Sequence, residues 1–229
     1  MTSKALIIPA AGSGSRLGTE IPKPYLRLAG QTILHHSISR FLSLDGLSQV
    51  VIATSPQYID RSEEILDNLL PASIVGICVE GGTERQDSIT NALNKVGDVG
   101  LVMVHDAVRP FVNEASITEC CKVASKVGSA VLGIPAKDTI KRIDEEQYVQ
   151  ETPPRKLLWQ TQTPQVFQKQ IIMEAYEQAA SNNIEATDDA SLVERLGKKI
   201  KMVEGNRSNI KITYPLDLQL AKQLINNEQ

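Results

Sequence analysis

The stretch IIPAAGSGSRLG, residues 7–18, joins a short apolar run to a loop of small residues that leads to Arg16. The apolar run has the composition of a buried strand that begins at about Ala5 and ends at Pro9. In doubly wound sheets, a loop of small residues at the carboxyl end of a strand lets phosphate groups reach backbone N–H groups. The stretch therefore predicts an α/β fold whose first strand leads directly into a ligand-binding loop.

Strands and helices alternate through the first 135 residues of the chain. Short runs rich in β-branched residues predict strands at 5–9, 50–54, 74–79, 101–104 and 130–134, and periodic apolar patterns predict helices at 31–44, 56–70, 86–96 and 114–127. This order predicts a Rossmann-like, predominantly parallel sheet with helices on both of its faces. Later in the chain we predict helices near 169–181 and 188–196, a strand near 199–203 and a last helix from Pro215.

Composition and length restrict the possible classes of protein. With 229 residues, 41% of them hydrophobic, the chain is predicted to form a single domain, residues 1–229, with a full core. The net charge of −3 disfavours nucleic acid or an anionic membrane as a partner, because such proteins normally carry a basic excess. The sequence has no run of 18 apolar residues, and its three cysteines lack metal-ligand spacing, so we expect a cytoplasmic protein with reduced thiols.

A polar segment interrupts the alternation after residue 135. Residues 139–143 and 148–152 resemble two short strands around the polar turn 144–147, so we predict a protruding β-hairpin arm within about residues 137–158. An isolated hairpin this polar is marginal in water, because it has little apolar surface to bury. The arm is expected either to lie on a second copy of the chain, which would make it a dimerisation element, or to be a solvated hairpin of its own subunit.

The opening loop matches neither of the two common phosphate-binding motifs. Gly12, Gly14 and Gly18 give G-x-G-x-x-x-G instead of the dinucleotide-binding G-x-G-x-x-G, and the Gly-Lys-Ser/Thr ending of a P-loop is absent from this stretch. Two cations, Arg16 and Lys23, follow closely. Arginine offers a bidentate fork and lysine a point charge, so a polyphosphate ligand is favoured over a merely flexible glycine turn.

Two further polar loops follow strands at the same predicted edge of the sheet. EGGTERQDS, residues 80–88, follows the third strand, and its two glycines would allow close approach of a base or ribose. HDAVRP, residues 105–110, follows the fourth strand and places a carboxylate, Asp106, three residues before a guanidinium, Arg109. These two charges could form a structural ion pair, but their position beyond the sheet favours contact with a ligand. We expect His105 to have a structural role.

Eight motifs in a fixed order carry a resemblance to a known family. The motifs are PAAGSGSRLG, PKPYL, GGTERQDSI, VHDAVRP, DTIKR, TPQVF, TDDAS and NIKIT, and together they resemble the 2-C-methyl-D-erythritol 4-phosphate cytidylyltransferases. The resemblance covers the chain from Ala5 to about Leu220. The resemblance implies a nucleotidyltransferase that joins CTP to a polyol phosphate in the non-mevalonate isoprenoid pathway, releasing pyrophosphate. Two alternatives remain open: a ribitol 5-phosphate cytidylyltransferase, which shares much of this pattern, and a catalytically silent nucleotide-binding module.

The resemblance also implies roles for individual residues. Arg16 and Lys23 match the pair that stabilises the transition state on the triphosphate, and Lys211 matches a lysine that holds the reacting phosphates. Arg155 matches an arginine that grips the substrate phosphate from the partner subunit of a homodimer, and Thr139 lies on the same arm. The resemblance assigns the cytidine and phosphate cradle to Ala10, Ala11, Gly12, Gly14, Gly81, Gly82 and Ser88, and the polyol contacts to Asp106, Ala107, Arg109 and Thr187.

The chemistry implied by the resemblance needs charge neutralisation more than it needs a base. A phosphate monoester is largely dianionic near neutral pH, since its second pKa is about 6, so it can attack without losing a proton first. We therefore expect fixed cations and a divalent metal, Mg²⁺, held mainly by the CTP phosphates. Asp106 is the one protein ligand for this metal that we consider.

Overall fold

The computed structural model describes residues 2–12 and 21–227. Its strands are β1 (Lys4–Pro9), β2 (Arg27–Leu28), β3 (Gln31–Thr32), β4 (Leu47–Thr54), β5 (Val75–Glu80), β6 (Leu101–Val104), β7 (Ser129–Pro135), β8 (Arg142–Ile143), β9 (Val149–Glu151), β10 (Trp159–Gln168) and β11 (Lys201–Glu204). Its α-helices are α1 (Ile33–Ser39), α2 (Ile59–Leu69), α3 (Arg85–Leu93), α4 (Glu114–Val127), α5 (Lys169–Ser181), α6 (Asp189–Arg195) and α7 (Pro215–Asn227).

One mostly parallel sheet organises the molecule. Across residues 2–12 and 21–227, seven strands pair in the order β11-β7-β10-β6-β1-β4-β5. β1 is parallel to β4 and β6, β4 to β5, and β11 to β7, whereas β10 runs antiparallel to both of its neighbours. The predicted α/β architecture is confirmed, and the carboxyl ends of all six parallel strands lie at one edge of the sheet.

The two faces of the sheet bury alternate residues of the same strands, as the twofold side-chain period of a strand requires. In β1, Leu6 and Ile8 join a cluster with residues of α1, α2 and α4, while Ala5 and Ile7 join a second cluster with residues of α3, α5 and α6. Burial of each large apolar side chain contributes about 1.5–3 kcal/mol. Helices on both faces therefore hold the sheet, and with it the strand ends, in place.

Strand β10 is absent from the sequence-based prediction, because its sequence WQTQTPQVFQ lacks the alternating apolar pattern that indicates a strand and contains a proline. It is rich in glutamine, and Pro164 near its middle cannot donate a hydrogen bond to a central strand. The pairing of β10 with β7 changes register between Thr161 and Gln165, so the proline falls where the ladder is interrupted. The buried polar residues Gln162, Thr163 and Gln165 lie at this interruption and form hydrogen bonds with Asn206, His105 and Asp188. A single sequence does not reveal these partners.

Helix α1 is shorter than predicted. Thr32 caps it by accepting a hydrogen bond from the backbone N–H of His35, and Gln31 belongs to strand β3. After Ser39 the chain continues in tight turns, in which the N–H of Phe41 donates to Ile38 O and that of Leu44 to Phe41 O. These turns still bury Phe41 and Leu44. The spacing of buried apolar residues that predicted a helix therefore continues beyond the end of α1.

The predicted hairpin is present, since β8 and β9 pair antiparallel around a polar turn. All residues of both strands are exposed on this chain, and Ile143 and Val149 are each about half exposed. Among the helices of the described residues, none is long and apolar enough to cross a membrane.

Candidate active site

A cavity of about 500 Å³ opens at the carboxyl edge of the parallel strands. It is lined by loops that follow β1, β5 and β6, by the turn that contains Lys23 and by the segment 211–213. Of the site residues expected from the sequence, the structure brings together here Ala10, Ala11, Gly12, Lys23, Gly82, Ser88, Asp106, Ala107 and Lys211. We call this the first cavity.

The loop after β5 is tightly folded around Gly82. A Cβ atom at Gly82 would lie only 2.1 Å from the Cβ of Asp87, so a larger residue does not fit there. The N–H of Gly82 donates to Ser88 Oγ at 3.0 Å, and a capping box between Glu84 and Asp87 begins helix α3. Gly81 is outside the cavity lining, but a Cβ there would lie 2.4 Å from the Cβ of Ala11, so the two loops are in close contact.

Lys23 is held almost entirely out of water. Its residue is 7% exposed, and its Nζ donates a hydrogen bond to the carbonyl oxygen of Thr213 at 2.9 Å. It belongs to a 3-10 turn, Lys23–Tyr25, whose tyrosine ring stacks on Tyr58 and whose hydroxyl hydrogen-bonds with Thr54 and Ser62. The lysine is therefore placed by a turn that is anchored to β4 and α2.

A second cavity of about 430 Å³ adjoins the first. Three charged residues, Arg85, Asp106 and Lys211, line both cavities and so mark their junction. The remaining lining of the second cavity consists of Arg109, Thr161, Gln162, Thr163, Gln165, Thr187, Asp188, Ser191 and Glu194. Arg109 and Thr187 were expected from the sequence, and this cavity is where the structure places them.

Asp106 is the centre of the charges at the junction. Its Oδ2 lies 3.1 Å from Lys211 Nζ and 3.1 Å from Arg109 Nε, and its Oδ1 lies 3.8 Å from Arg85 Nε. Burial alone would raise the pKa of the Asp106 carboxyl, but the surrounding cations outweigh it and lower that pKa below its ordinary value. The carboxylate is thus charged at neutral pH and holds the cations together.

Arg85 is a site residue that the sequence reasoning missed. Its guanidinium forms two hydrogen bonds with the buried Asp189, at 3.1 and 2.8 Å, and Asp189 also accepts a hydrogen bond from the Tyr176 hydroxyl. Burial lowers the pKa of Arg85, but the Asp189 carboxylate raises it by a larger amount. The net effect is a pKa above the ordinary value. Arg85 lies within the GGTERQDSI motif, but a partner 104 residues away along the chain leaves no signal in a single sequence.

His105 is fully buried and has two hydrogen-bond partners. Thr163 Oγ1 accepts a hydrogen bond from the N–H of Asp106 and lies 3.0 Å from His105 Nδ1. Its hydroxyl hydrogen is therefore available for donation to that ring nitrogen. The other ring nitrogen, Nε2, then donates to the carbonyl of Arg109 at 3.0 Å. Burial lowers the pKa of His105 to about 4, so the ring is neutral and fastens the loop 105–109, as its predicted structural role requires.

The arm residues lie apart from both cavities of this chain. Arg155 Nη1 donates to the carbonyl of Lys137 at 2.9 Å, and Arg155 and Thr139 are exposed and absent from the described lining of either cavity. Gly14 and Arg16 lie outside the described residues.

Among residues 2–12 and 21–227, the side chains do not form a metal site on their own. The part of the chain that the structure describes contains no group of three His, Cys, Asp or Glu residues placed to hold a metal ion. Asp106, the candidate ligand, is already an ion-pair partner of Lys211 and Arg109.

The site and the sheet together define a class of protein. A cavity lined by small-residue loops and lysines, at the carboxyl edge of a mostly parallel sheet with helices on both faces, is the arrangement of a Rossmann-like nucleotide-binding protein. The family profile described as 2-C-methyl-D-erythritol 4-phosphate cytidylyltransferase (IspD) matches residues 4–227. The chain therefore belongs to this family.

Individual relatives agree with the family match over nearly the whole chain. The 2-C-methyl-D-erythritol 4-phosphate cytidylyltransferase of Desulforamulus reducens is 42% identical over 221 residues, which cover 96% of this chain and 94% of that protein. A crystal structure of 4-diphosphocytidyl-2C-methyl-D-erythritol synthase from Anaerococcus prevotii has a TM-score of 0.88 at 29% identity, covering 98% of this chain and 96% of that one. The Thermus thermophilus 2-C-methyl-D-erythritol 4-phosphate cytidylyltransferase has a TM-score of 0.78 at 32% identity, covering 98% of both chains.

Proposed function

We propose that this chain, as a single nucleotidyltransferase domain, transfers the cytidylyl group of CTP to 2-C-methyl-D-erythritol 4-phosphate and releases pyrophosphate. Its reaction belongs to the non-mevalonate route to isoprenoids. Family membership and full-length relatives of that name support this assignment over a ribitol 5-phosphate cytidylyltransferase or a silent nucleotide-binding module.

The observation that carries the proposal is the junction of the two cavities. The first cavity, with its small-residue loops, Lys23 and Lys211, suits the nucleotide and its triphosphate, because glycine loops and ammonium groups both favour phosphate oxygens. The second cavity, rich in hydroxyl, amide and carboxylate groups, suits a polyol. Lys211 and Arg85 line both cavities, and we propose that the phosphates of the two substrates meet beside them.

The reaction can proceed without a general base. A phosphate oxygen of the polyol phosphate attacks the α-phosphorus of CTP, a new P–O bond forms, and the bond to the β-phosphate breaks as pyrophosphate leaves. The attacking monoester is already dianionic. His105 does not serve as a base, because it is buried and both of its ring nitrogens are engaged with Thr163 and Arg109.

Electrostatic stabilisation is the main contribution of the protein. Two anions must approach one another and charge accumulates on the transferring phosphoryl group, so preorganised cations stabilise the transition state. Lys23 and Lys211, which line the first cavity, are proposed to do this together with Arg16. Asp106, Arg109 and Thr187, which line the second cavity, are proposed to contact the polyol. Ala107 was expected among the polyol contacts, and it lines the first cavity next to Asp106. Mg²⁺ is proposed to enter as part of the substrate, bound by the CTP phosphates, since the described residues contain no group of three His, Cys, Asp or Glu placed to hold it.

The protein is further proposed to act in the cytoplasm as a homodimer whose arms complete the partner's site. The exposed arm carries Arg155 and Thr139 away from the cavities of its own chain. It also exposes apolar side chains, of which Leu157 is 72% and Val149 58% exposed. In the proposed homodimer, the partner chain would cover these apolar side chains.

The test is pyrophosphate release from CTP with 2-C-methyl-D-erythritol 4-phosphate, ribitol 5-phosphate and no acceptor. We expect turnover with the methylerythritol substrate and a much lower kcat/KM with ribitol phosphate. Lys211→Ala should lower kcat about 10²–10³-fold, as loss of a transition-state donor does, whereas Lys222→Ala, at an exposed position of α7, should leave it unchanged. Faster turnover with ribitol phosphate, or none with either acceptor, would contradict the proposal.

A further inference from the structure

One short segment of irregular backbone connects both lysines of the first cavity. Residues 211–214 form neither helix nor strand. The side chain of Lys211 extends from this segment to Asp106, with Nζ 3.1 Å from Oδ2. The carbonyl of Thr213, two residues later, accepts the hydrogen bond from Lys23 Nζ. The positions of both ammonium groups therefore depend on the path of this segment.

The carboxylate of Asp217 holds the end of this segment. Its Oδ2 accepts hydrogen bonds from the backbone N–H of Thr213 at 2.8 Å and of Tyr214 at 2.7 Å. Asp217 lies in the first turn of α7 and is half-buried, and it lines neither the first nor the second cavity. Hydrogen bonds to an ionised acceptor are roughly twice as strong as neutral ones, so this contact restrains both peptide groups.

Helix α7 is itself fixed to the core. Its buried residues Ala221 and Ile225 pack in a cluster with Ile33, Phe111 and Ile212. Ile212 belongs to the segment, and its N–H donates to the carbonyl of Val108 at 3.0 Å. The segment is thus restrained on one side by the loop after β6 and on the other by Asp217.

We propose that Asp217 is a positioning residue for the reaction. It fixes the Thr213 and Tyr214 peptide groups, and these set where Lys23 and Lys211 meet the phosphates. This inference rests on the proposed function. An ordinary helix cap would make the same two hydrogen bonds, but loss of an ordinary cap changes stability alone, whereas loss of a positioning contact changes kcat in the folded protein.

The experiment compares Asp217→Ala, Asp217→Asn and a matched cap variant, Asn113→Ala. Asn113 caps α4 by accepting from Ser116 N at 2.7 Å and lies in neither cavity lining. We expect both alanine variants to lower Tm by about 2–4 °C. At a temperature where each variant is fully folded, Asp217→Ala should lower kcat by about 10- to 100-fold, because displacing catalytic groups by about 1 Å has effects of this size. Asn113→Ala should keep the wild-type kcat.

Two further readouts separate positioning from structure. Asp217→Asn should recover most of the lost kcat, because its amide oxygen can accept from the same N–H groups. Hydrogen exchange at Thr213 and Tyr214 should become faster in Asp217→Ala and remain unchanged in Asn113→Ala, and this readout does not depend on any reaction. If Asp217→Ala does not fold, Asp217→Ser, whose shorter side chain reaches the two N–H groups less well, takes its place in the comparison with Asn113→Ala.

The inference is overturned if folded Asp217→Ala keeps kcat within twofold of wild type, or if Asn113→Ala loses as much. Unchanged exchange at Thr213 and Tyr214 would also overturn it. A wild-type enzyme without pyrophosphate release would instead refute the proposed function, and the exchange measurement would still decide whether Asp217 fixes the segment.

Discussion

The two lysines of the first cavity differ in their contact with water. Lys23 is nearly buried and bonded to a backbone carbonyl, so its charge is fixed before a ligand arrives. The Lys211 side chain is 45% exposed and pairs with Asp106 across the cavity junction. Asp106 also pairs with Arg109 Nε at 3.1 Å, so Lys211 can turn from the carboxylate to a phosphate without leaving Asp106 unpaired. One cation is thus preorganised and the other adapts to the ligand.

The buried ring of His105 predicts how stability responds to acid. In the unfolded chain its pKa is near 6.5, whereas burial lowers it to about 4 in the folded protein. Between these values the unfolded state binds more protons than the folded state, so the free energy of unfolding rises as the pH increases from 4 to 6.5. The contribution of His105 to stability is therefore lost on acidification. The full effect of a shift this large is about 3 kcal/mol, and by pH 5 about 2 kcal/mol should be lost.

Urea unfolding at pH 7.5 and pH 5.0 measures this loss for the wild type and for His105→Gln. The wild type should lose about 2 kcal/mol more than the variant between the two pH values, because the variant lacks the titrating ring. Holding the pH at 5 or above keeps Asp106 ionised, since its pKa lies below the ordinary value of 3.8. Equal losses in both proteins would show that the His105 ring is not held neutral by burial.

At the level of elements, the ion pair of Arg85 and Asp189 ties the first turn of α3 to the first residue of α6. Gln86 adds to this tie, because its side chain donates to Ile184 O and accepts from Ala186 N. The segment 184–189 includes Thr187 in the second cavity, while the start of α3 lines the first cavity. The contact between the two elements therefore sets the position of one cavity relative to the other.

Breaking the Arg85–Asp189 ion pair should lower the free energy of unfolding far more than breaking a surface ion pair. Asp189→Asn removes the charge from a fully buried carboxylate that holds Arg85 and Tyr176, so we expect a loss of about 3 kcal/mol in the free energy of unfolding. Glu119→Gln, which breaks an exposed pair with Lys122 within α4, should cost less than about 0.5 kcal/mol. Denaturant unfolding of both variants measures the difference, and similar small losses would mean that Asp189 does not carry the α3–α6 contact.

Elements marked by a local pattern of residues could be predicted from the sequence. Elements that depend on partners far away along the chain could not. The parallel strands and their loops were predicted because apolar runs and small-residue turns are visible along the chain. β10 was missed because its glutamines and Pro164 become acceptable only beside their neighbours in the sheet. The Arg85–Asp189 pair was missed for the same reason, since the two residues belong to separate motifs and meet only in the folded chain.

At the scale of the whole molecule, the position of the arm determines whether an active site combines residues of two chains. Each chain places Lys23 and Lys211 in its own cavity, and it places Arg155 on an exposed arm outside the described lining of both cavities. If the proposed homodimer forms and the arms cross, every active site contains residues of two chains. Mutations in Lys23 and Arg155 would then damage different sites of a mixed dimer.

Mixing two inactive variants tests this arrangement. In a heterodimer of Arg155→Ala with Lys23→Ala, one site receives both lesions, while the other has Lys23 from one chain and Arg155 from its partner. A purified heterodimer with two different tags should therefore regain about half of the wild-type activity, and a freely exchanging mixture about a quarter. The control is Lys23→Ala with Lys211→Ala, since both lysines line the same chain's cavity and every site of that heterodimer keeps one lesion. Recovery in the first pair alone supports crossing arms, whereas a verified heterodimer without activity would mean that Arg155 acts on its own chain or not at all.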